Sequence, residues 1–256
     1  MVRGLDTFHR YFKDYADNYI IIGGTACSEL IEDEGLMPRS TKDIDIILIV
    51  EALSKEFVKR FWSFIKDGNY ELWQTQSGKT HFYRFIKPKA ENFPVQIELF
   101  SRVPELIKVS DGAHLTPIPV GEDLSSLSAI LLDDDYYHYV TSHTVIIDDL
   151  HFVDKDAIII LKAIAYINNS TRKSRGEKVR SEELSKHKND IFRIVSTFTE
   201  DIKFDIPETI KQDLQTFLGM VENDGLSTTE LSKELGLDKE ITHEEFENQL
   251  INAFNL

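Results

Sequence analysis

Residues 5–15 place apolar and aromatic side chains at helical spacing, Asn18 closes that pattern, and Tyr19 to Ile22 follow as an unbroken apolar run. A helical period giving way to a short continuous apolar segment predicts a helix and then a buried strand. Gly23-Gly24 turns the chain into a second helix reaching Glu32. Residues 44–50 are apolar on both faces, as in a central strand, and an amphipathic helix is predicted over 54–65. Residues 70–73 and 81–86, on either side of Ser77-Gly78-Lys79, predict a hairpin, and 95–100 a further strand with Pro94 at its start. Prolines and glycines interrupt the pattern over 102–122; the short apolar runs at 128–132 and 145–152 are read as strands. Beyond Val153 the period is helical, over 154–168, 181–199, 207–221 and two short segments near the end. The expectation is an α+β chain: a mixed β-sheet flanked by helices in residues 1–153, then a C-terminal helical bundle in 154–256.

Composition narrows the setting. A chain of 256 residues, 41% of them hydrophobic, can bury a substantial core. The single Cys27 excludes an internal disulfide, and neither a signal-peptide pattern nor a run of about 20 apolar residues is present. A soluble, cytoplasmic protein with no membrane partner is expected. The formal net charge of −15 argues against a broad nucleic-acid footprint, and hence against DNA recognition, since phosphate binding is driven by clustered Lys and Arg. Contact with nucleic acid would have to be local.

The candidate chemistry is concentrated in residues 39–45, Arg-Ser-Thr-Lys-Asp-Ile-Asp, which open the apolar strand. Successive strand residues alternate faces, so Asp43 and Asp45 project together while Ile44 and Ile46 point inward. Two carboxylates on one face repel; a divalent cation between them cancels the repulsion, and hard oxygen ligands suit magnesium. In the later strand Gln96, Glu98 and Phe100 share a face opposite Val95, Ile97 and Leu99, which makes Glu98 a third acid beside an apolar core. Gly23 and Gly24 allow close backbone approach to a ligand, and the following helix N-terminus offers free N–H groups to phosphate. Thr25 can donate to phosphate or cap the helix. Arg39 and Lys42 add positive charge just before the acids, and an Arg fork suits phosphate oxygens.

A Gly-Gly turn after a strand, followed by Arg-x-Thr-x-Asp-x-Asp opening the next, resembles the AbiEii-like toxin family within the DNA polymerase beta-like nucleotidyltransferase superfamily. The resemblance spans residues 20–195 loosely and implies a nucleotidyltransferase-type fold. It also implies two magnesium ions, with manganese able to substitute, held by Asp43, Asp45 and Glu98. They would align a nucleoside triphosphate (NTP) for in-line attack. Two such ions can clamp both the attacking and the leaving oxygen of a phosphoryl displacement. Arg39 stands at the family's arginine position and Thr41 at its hydroxyl position, so the nucleotide set is Gly23, Gly24, Thr25, Arg39 and Thr41. The family's helical lysine and later aspartate are matched by Lys162 and Asp190, which complete the catalytic set of Asp43, Asp45, Glu98, Lys162 and Asp190. The family form Lys-Asp-x-x-Asp is not kept in that helix, because His187 stands where its first aspartate would be. If the resemblance extends to biology, the acceptor is tRNA or another RNA and the partner an antitoxin protein.

Lys162 lies among Ile158, Ile159, Leu161 and Ile164 and so requires a partner. It would neutralise triphosphate charge or simply pair with Asp190. Residues 170–180 form the one strongly basic segment, Ser-Thr-Arg-Lys-Ser-Arg-Gly-Glu-Lys-Val-Arg, and are expected to be a loop able to meet triphosphate or RNA. Eight histidines without zinc-site spacing, and Cys27-Ser28 without a nucleophile elbow, argue against zinc and nucleophilic catalysis. Asp133-Asp134-Asp135 is read as a solvated turn. The helix pair near the C-terminus resembles a helix-turn-helix, but Glu240, Glu244, Glu245 and Glu247 make it too acidic to face DNA. Two readings stand beside RNA nucleotidyl transfer: a small-molecule nucleotidyltransferase of the antibiotic-modifying type, and a non-catalytic nucleotide-binding or interaction module.

Overall fold

In a computed structural model of the chain, the described residues are 2–49, 52–74, 80–101, 107–108, 114–115, 133–221 and 225–256. A mixed seven-stranded sheet runs β3-β4-β5-β2-β1-β9-β8 across its width. Its strands are β1 Tyr19–Ile22, β2 Asp43–Leu48, β3 Glu71–Gln74, β4 Thr80–Ile86, β5 Gln96–Phe100, β8 Thr144–Ile147 and β9 Leu150–Val153. Two short strands, β6 Ile107–Lys108 and β7 His114–Leu115, form a separate ladder. The expected α+β class, a mixed sheet flanked by helices with further helices after it, is what the chain adopts.

Among the described residues, three α-helices precede β3: α1 Leu5–Phe12, α2 Gly23–Asp33 and α3 Lys55–Gly68. The last is bounded by chemistry: the Ser54 hydroxyl accepts from the Phe57 N–H, and Asn69 ends the helix in the left-handed region. Its apolar face carries Phe57, Phe61 and Phe64 against Phe8 and Phe12 of α1, Tyr19 of β1 and Phe85 of β4. Phe61 meets Phe85 edge-on at 5.5 Å and Phe8 meets Tyr19 likewise at 5.5 Å, both within the favoured range for aromatic pairs. Each such ring contributes about 1.5–3 kcal/mol on burial. One face of the sheet is thus fixed by packed rings, which leaves the other free to carry polar chemistry.

The helical half begins directly after β9. Asp154 caps α5 Lys155–Ser174 by accepting from the Lys155 N–H, and α6 Ser181–Val195 packs antiparallel-fashion along it as its most extensive neighbour. Helices α7 Glu208–Val221, α8 Thr228–Leu235 and α9 His243–Phe254 complete the bundle. The last opens with a full capping box between Thr242 and Glu245, and α8 and α9 each pack against α6, with Leu231, Leu235, Phe246 and Leu250 buried. Helix α2 touches β2 on one side and α5 and α6 on the other, joining sheet and bundle.

Several boundaries differ from the sequence-based expectation. The first helix stops at Phe12, and Lys13–Asn18 continues as a 3₁₀ segment interrupted at Tyr15, where φ is −127°. The apolar run 145–152 is two antiparallel strands, because Asp148 and Asp149 both take positive φ, 46° and 59°, as the two central residues of a tight hairpin turn require. Asp133-Asp134-Asp135 is a helix start: the Asp133 carboxylate accepts from the N–H groups of Asp135 and Tyr136 and opens α4 Asp134–Ser142, with Tyr136 and Tyr137 buried. Ser170 to Ser174 belong to α5, so the basic segment is half helix. The Ser77-Gly78-Lys79 turn and the apolar run 128–132 lie outside the described residues. Among the described residues no helix is long and apolar enough to cross a membrane.

Candidate active site

The register of three neighbouring strands builds an acidic row. β1 pairs antiparallel with β2, placing Ile22 opposite Asp45, and β5 pairs parallel with β2, placing Gln96 opposite Asp43 and Glu98 opposite Asp45. Register partners share a face, so Asp43, Asp45 and Glu98 stand on the sheet face opposite buried Ile44, Ile46, Ile97 and Leu99. That face is the floor of a cavity of about 450 Å³, within the range of small-ligand sites, whose far wall is α5 and α6. Gly23, Gly24, Arg39, Thr41, Asp43, Asp45, Glu98, Lys162 and Asp190 all border this one cavity. Of the sequence-predicted set, only Thr25 lies off its lining.

The glycine turn makes room for an acid. Gly23 takes φ +72°, and a Cβ there would lie 2.1 Å from Asp45 Oδ2, so only glycine admits the carboxylate where it stands. At Gly24 a Cβ would lie 2.9 Å from Arg39 Nη2 and 3.0 Å from Thr41 Oγ1; the bare backbone lets both side chains cross the helix start. Thr25 neither caps α2 nor faces the cavity: fully buried, its hydroxyl donates to the Asp43 carbonyl at 2.6 Å and pins the head of β2. Ser28 Oγ donates to the Arg39 carbonyl at 3.0 Å and pins the preceding loop.

Asp190 is a hub of cations. Arg39 grips it bidentately, Nε to Oδ1 at 2.6 Å and Nη2 to Oδ2 at 2.7 Å, and Lys162 Nζ donates to Oδ2 at 2.6 Å. Arg193 reaches Oδ1 at 3.4 Å and continues to Glu234 at 2.6 Å. Burial alone would raise the Asp190 carboxyl, but Lys162 and then Arg39 hold it well below the usual carboxylate range. The expected pairing of Lys162 with Asp190 is therefore present, and Arg39, expected to face phosphates, spends its fork on Asp190. Asp190 stands as a structural anion joining the β2 loop, α5 and α6.

Charge on the acids is only partly relieved. Burial, then Glu98 and Asp43, pushes Asp45 well above its ordinary value; burial raises Asp43 too, against the opposing pull of Lys186. Burial also raises Glu98, while Arg84 pulls it down. Glu98 Oε1 forms an ion pair with Arg84 Nε and accepts from Gln96 Nε2 at 3.0 Å. Among the described residues no three His, Cys, Asp or Glu side chains are already grouped to hold one ion. Asp43 and Asp45 nevertheless offer hard oxygens on one face, and the buried, repelled charge of Asp45 is what a divalent cation relieves, so the pair fits magnesium.

Sequence reasoning found only part of the far wall: beside the expected Lys162, Asp190 and Arg172 of the basic segment, Lys186 and His187 on α6 and Asn169 on α5 line the same cavity. His187 and Lys186 lie three and four residues before Asp190, and Asn169 lies seven after Lys162, so helical spacing from the two predicted residues could have found them. Burial, with Lys162 beside it, pushes His187 down to about 4, so at neutral pH it is an uncharged imidazole among cations. Burial pushes Cys27 up to about 12, in keeping with a small, inert helix residue.

No family model matches the chain, and no curated protein matches it. Among solved structures it is similar to an antigenic nucleotidyltransferase-like protein from Paracoccidioides brasiliensis. The identity is 16% and the TM-score 0.46, over 93% of this chain and 94% of that chain.

Proposed function

We propose that the chain is a magnesium-dependent nucleotidyltransferase, which moves a nucleoside monophosphate from an NTP to an acceptor and releases pyrophosphate. The observation that carries this reading is the cavity with two unlike walls. Asp43, Asp45 and Glu98 form its sheet side, while Lys186, Arg172 and the Asp190-bound Lys162 form its helix side. A triphosphate with its cation matches that polarity, metal toward the acids and phosphate oxygens toward the lysines and arginine.

Magnesium at Asp43 and Asp45 would polarise the α-phosphate and offset the charge that grows on the leaving oxygen. The acceptor oxygen bonds to the α-phosphorus as the bond from that phosphorus to the bridging oxygen of pyrophosphate breaks. The bare Gly23-Gly24 backbone lets Asp45, Arg39 and Thr41 reach the cavity that the nucleotide would fill. Arg172 and Lys186 take up phosphate charge, and Asp190 holds Arg39 and Lys162 in place, so that residues 1–153 and 154–256 close one cleft between them.

The acceptor on this reading is RNA, with the tRNA acceptor end as the first candidate and an antitoxin protein as the restraining partner. The family resemblance supports both, and Arg172, half-exposed on the cavity lining and paired with Glu177 at 2.7 Å, is the local cation such an acceptor would draw on. The net charge of −15 favours a small-molecule acceptor instead. Incubation with each α-³²P-labelled NTP, magnesium, and either total tRNA or aminoglycosides separates these, with Asp43→Asn as control. Label in tRNA supports the RNA acceptor and label in the drug the small one. Absence of any transfer or pyrophosphate release by the wild type sinks the enzyme reading, and tight NTP binding would then mark a binding module.

A further inference from the structure

His187 is an uncharged ring in a cationic wall. It borders the cavity from α6, three residues before Asp190 and therefore beside it on the same helix face. Asp190 draws Arg39 from the loop before β2 and Lys162 from α5 against that face, and Lys186 of α6 borders the cavity as well. The carboxylate among these cations is already engaged at both oxygens, by Arg39 at each and by Lys162 at Oδ2. Among the described residues His187 has no hydrogen-bond or ion-pair partner, so its ring nitrogens keep their bonding capacity for a ligand in the cavity.

Resting on the nucleotidyltransferase reading above, we propose that His187 takes one proton from solvent as the triphosphate binds, and that the resulting imidazolium donates to a phosphate oxygen. The chemistry of the ring requires the proton. A neutral imidazole has one N–H donor and one acceptor nitrogen, whereas ionised phosphate oxygens only accept, so the acceptor nitrogen can meet phosphate only once protonated. The surroundings set when that happens. In the chain by itself burial, then Lys162, with Arg39 and Lys186 in the same sense, disfavours a further positive charge, and Asp190 offsets them only in part. Arg172 of α5 and Glu183 of α6, also on the helix side of the lining, are of opposite sign, while Asp43, Asp45 and Glu98 face from the sheet side, where the cation would sit. A triphosphate laid against the helix wall brings several negative charges, reverses the balance and favours the imidazolium. Nucleotide affinity then rises as pH falls, because binding and protonation are linked.

Calorimetric titration of the full chain with magnesium and each α,β-methylene NTP analogue, at pH 6 in two buffers of different ionisation enthalpy, counts the protons taken up. With the bound imidazole restored to its ordinary range, the wild type should take up at least about half a proton more per nucleotide than His187→Asn. Between pH 6 and 8 the wild-type affinity should fall more steeply than that of the variant, by up to about tenfold per unit. If His187→Asn does not fold, the assigned His187 ring resonances of the wild type decide, since a downfield move on adding analogue at pH 6 marks the imidazolium. Equal proton uptake by wild type and folded His187→Asn, or an unmoved ring with the analogue bound, overturns the proposal and leaves the nucleotidyltransferase reading intact. Failure of every analogue to bind the wild type removes that reading and the proposal with it.

Discussion

Replacing Asp190 by Asn leaves an isosteric side chain but removes the one charge that three cations share. Lys162 and Arg193 are each 7% exposed at the side chain and Asp190 is fully buried, so water cannot take the carboxylate's place for those two. Arg39, at 25%, recovers part of its solvation. Breaking a buried pair by removing one partner costs about 3–5 kcal/mol, and Arg39's partial exposure puts this case at the lower end, about 3 kcal/mol. For a chain of this size each kcal/mol moves Tm by about 2–4 °C, so Asp190→Asn should melt roughly 6–12 °C below the wild type by circular dichroism. The pH dependence has a definite sign. The folded Asp190 carboxyl lies below its ordinary 3.8, so its stabilisation is fully present above about pH 4 and is lost as pH falls through the lower folded value. The gap between wild type and variant should hold between pH 5 and 7 and narrow below 4. A variant melting within about 2 °C of the wild type at pH 7 would refute the assignment of Asp190 as the anion that holds the cleft together.

Two further outcomes concern the acidic floor. Gly23→Ala meets both a left-handed backbone, costing about 1–2 kcal/mol, and the Asp45 carboxylate, so it should lower urea stability by that amount and abolish Mn²⁺ uptake. Wild-type Mn²⁺ binding by this variant would contradict the account of the turn. Asp45→Asn should do the opposite to stability in EDTA: the folded Asp45 carboxyl is raised above its ordinary 3.8, so the wild type loses stability as pH climbs from 4 through the raised value. At pH 7 Asp45→Asn should therefore melt about 2–4 °C higher, the shift expected for roughly 1 kcal/mol, while losing nucleotide transfer. A lower Tm in metal-free buffer would show that Asp45 is not under charge strain.

What could be read without coordinates was whatever lies within one element or one turn. Asp43 and Asp45 two residues apart on a strand, the glycine turn before them, the alternation that sets Glu98 against Ile97 and Leu99, and the out-of-place Lys162 in an apolar helix follow from periods of 2 and 3.6 residues. Those periods are imposed by backbone geometry whatever the chain folds onto. Partnership between distant segments was decided by tertiary structure alone. That β5 lies parallel beside β2, bringing Glu98 level with Asp45, depends on the aromatic packing of α1 and α3 under one face of the sheet. That Arg39 serves Asp190, 151 residues away, depends on α6 docking over the loop before β2, because a buried carboxylate captures every cation its fold brings within reach. Arg84 and Glu98, on adjacent strands joined by a turn, were each visible as charged residues; only the strand register turned them into a pair.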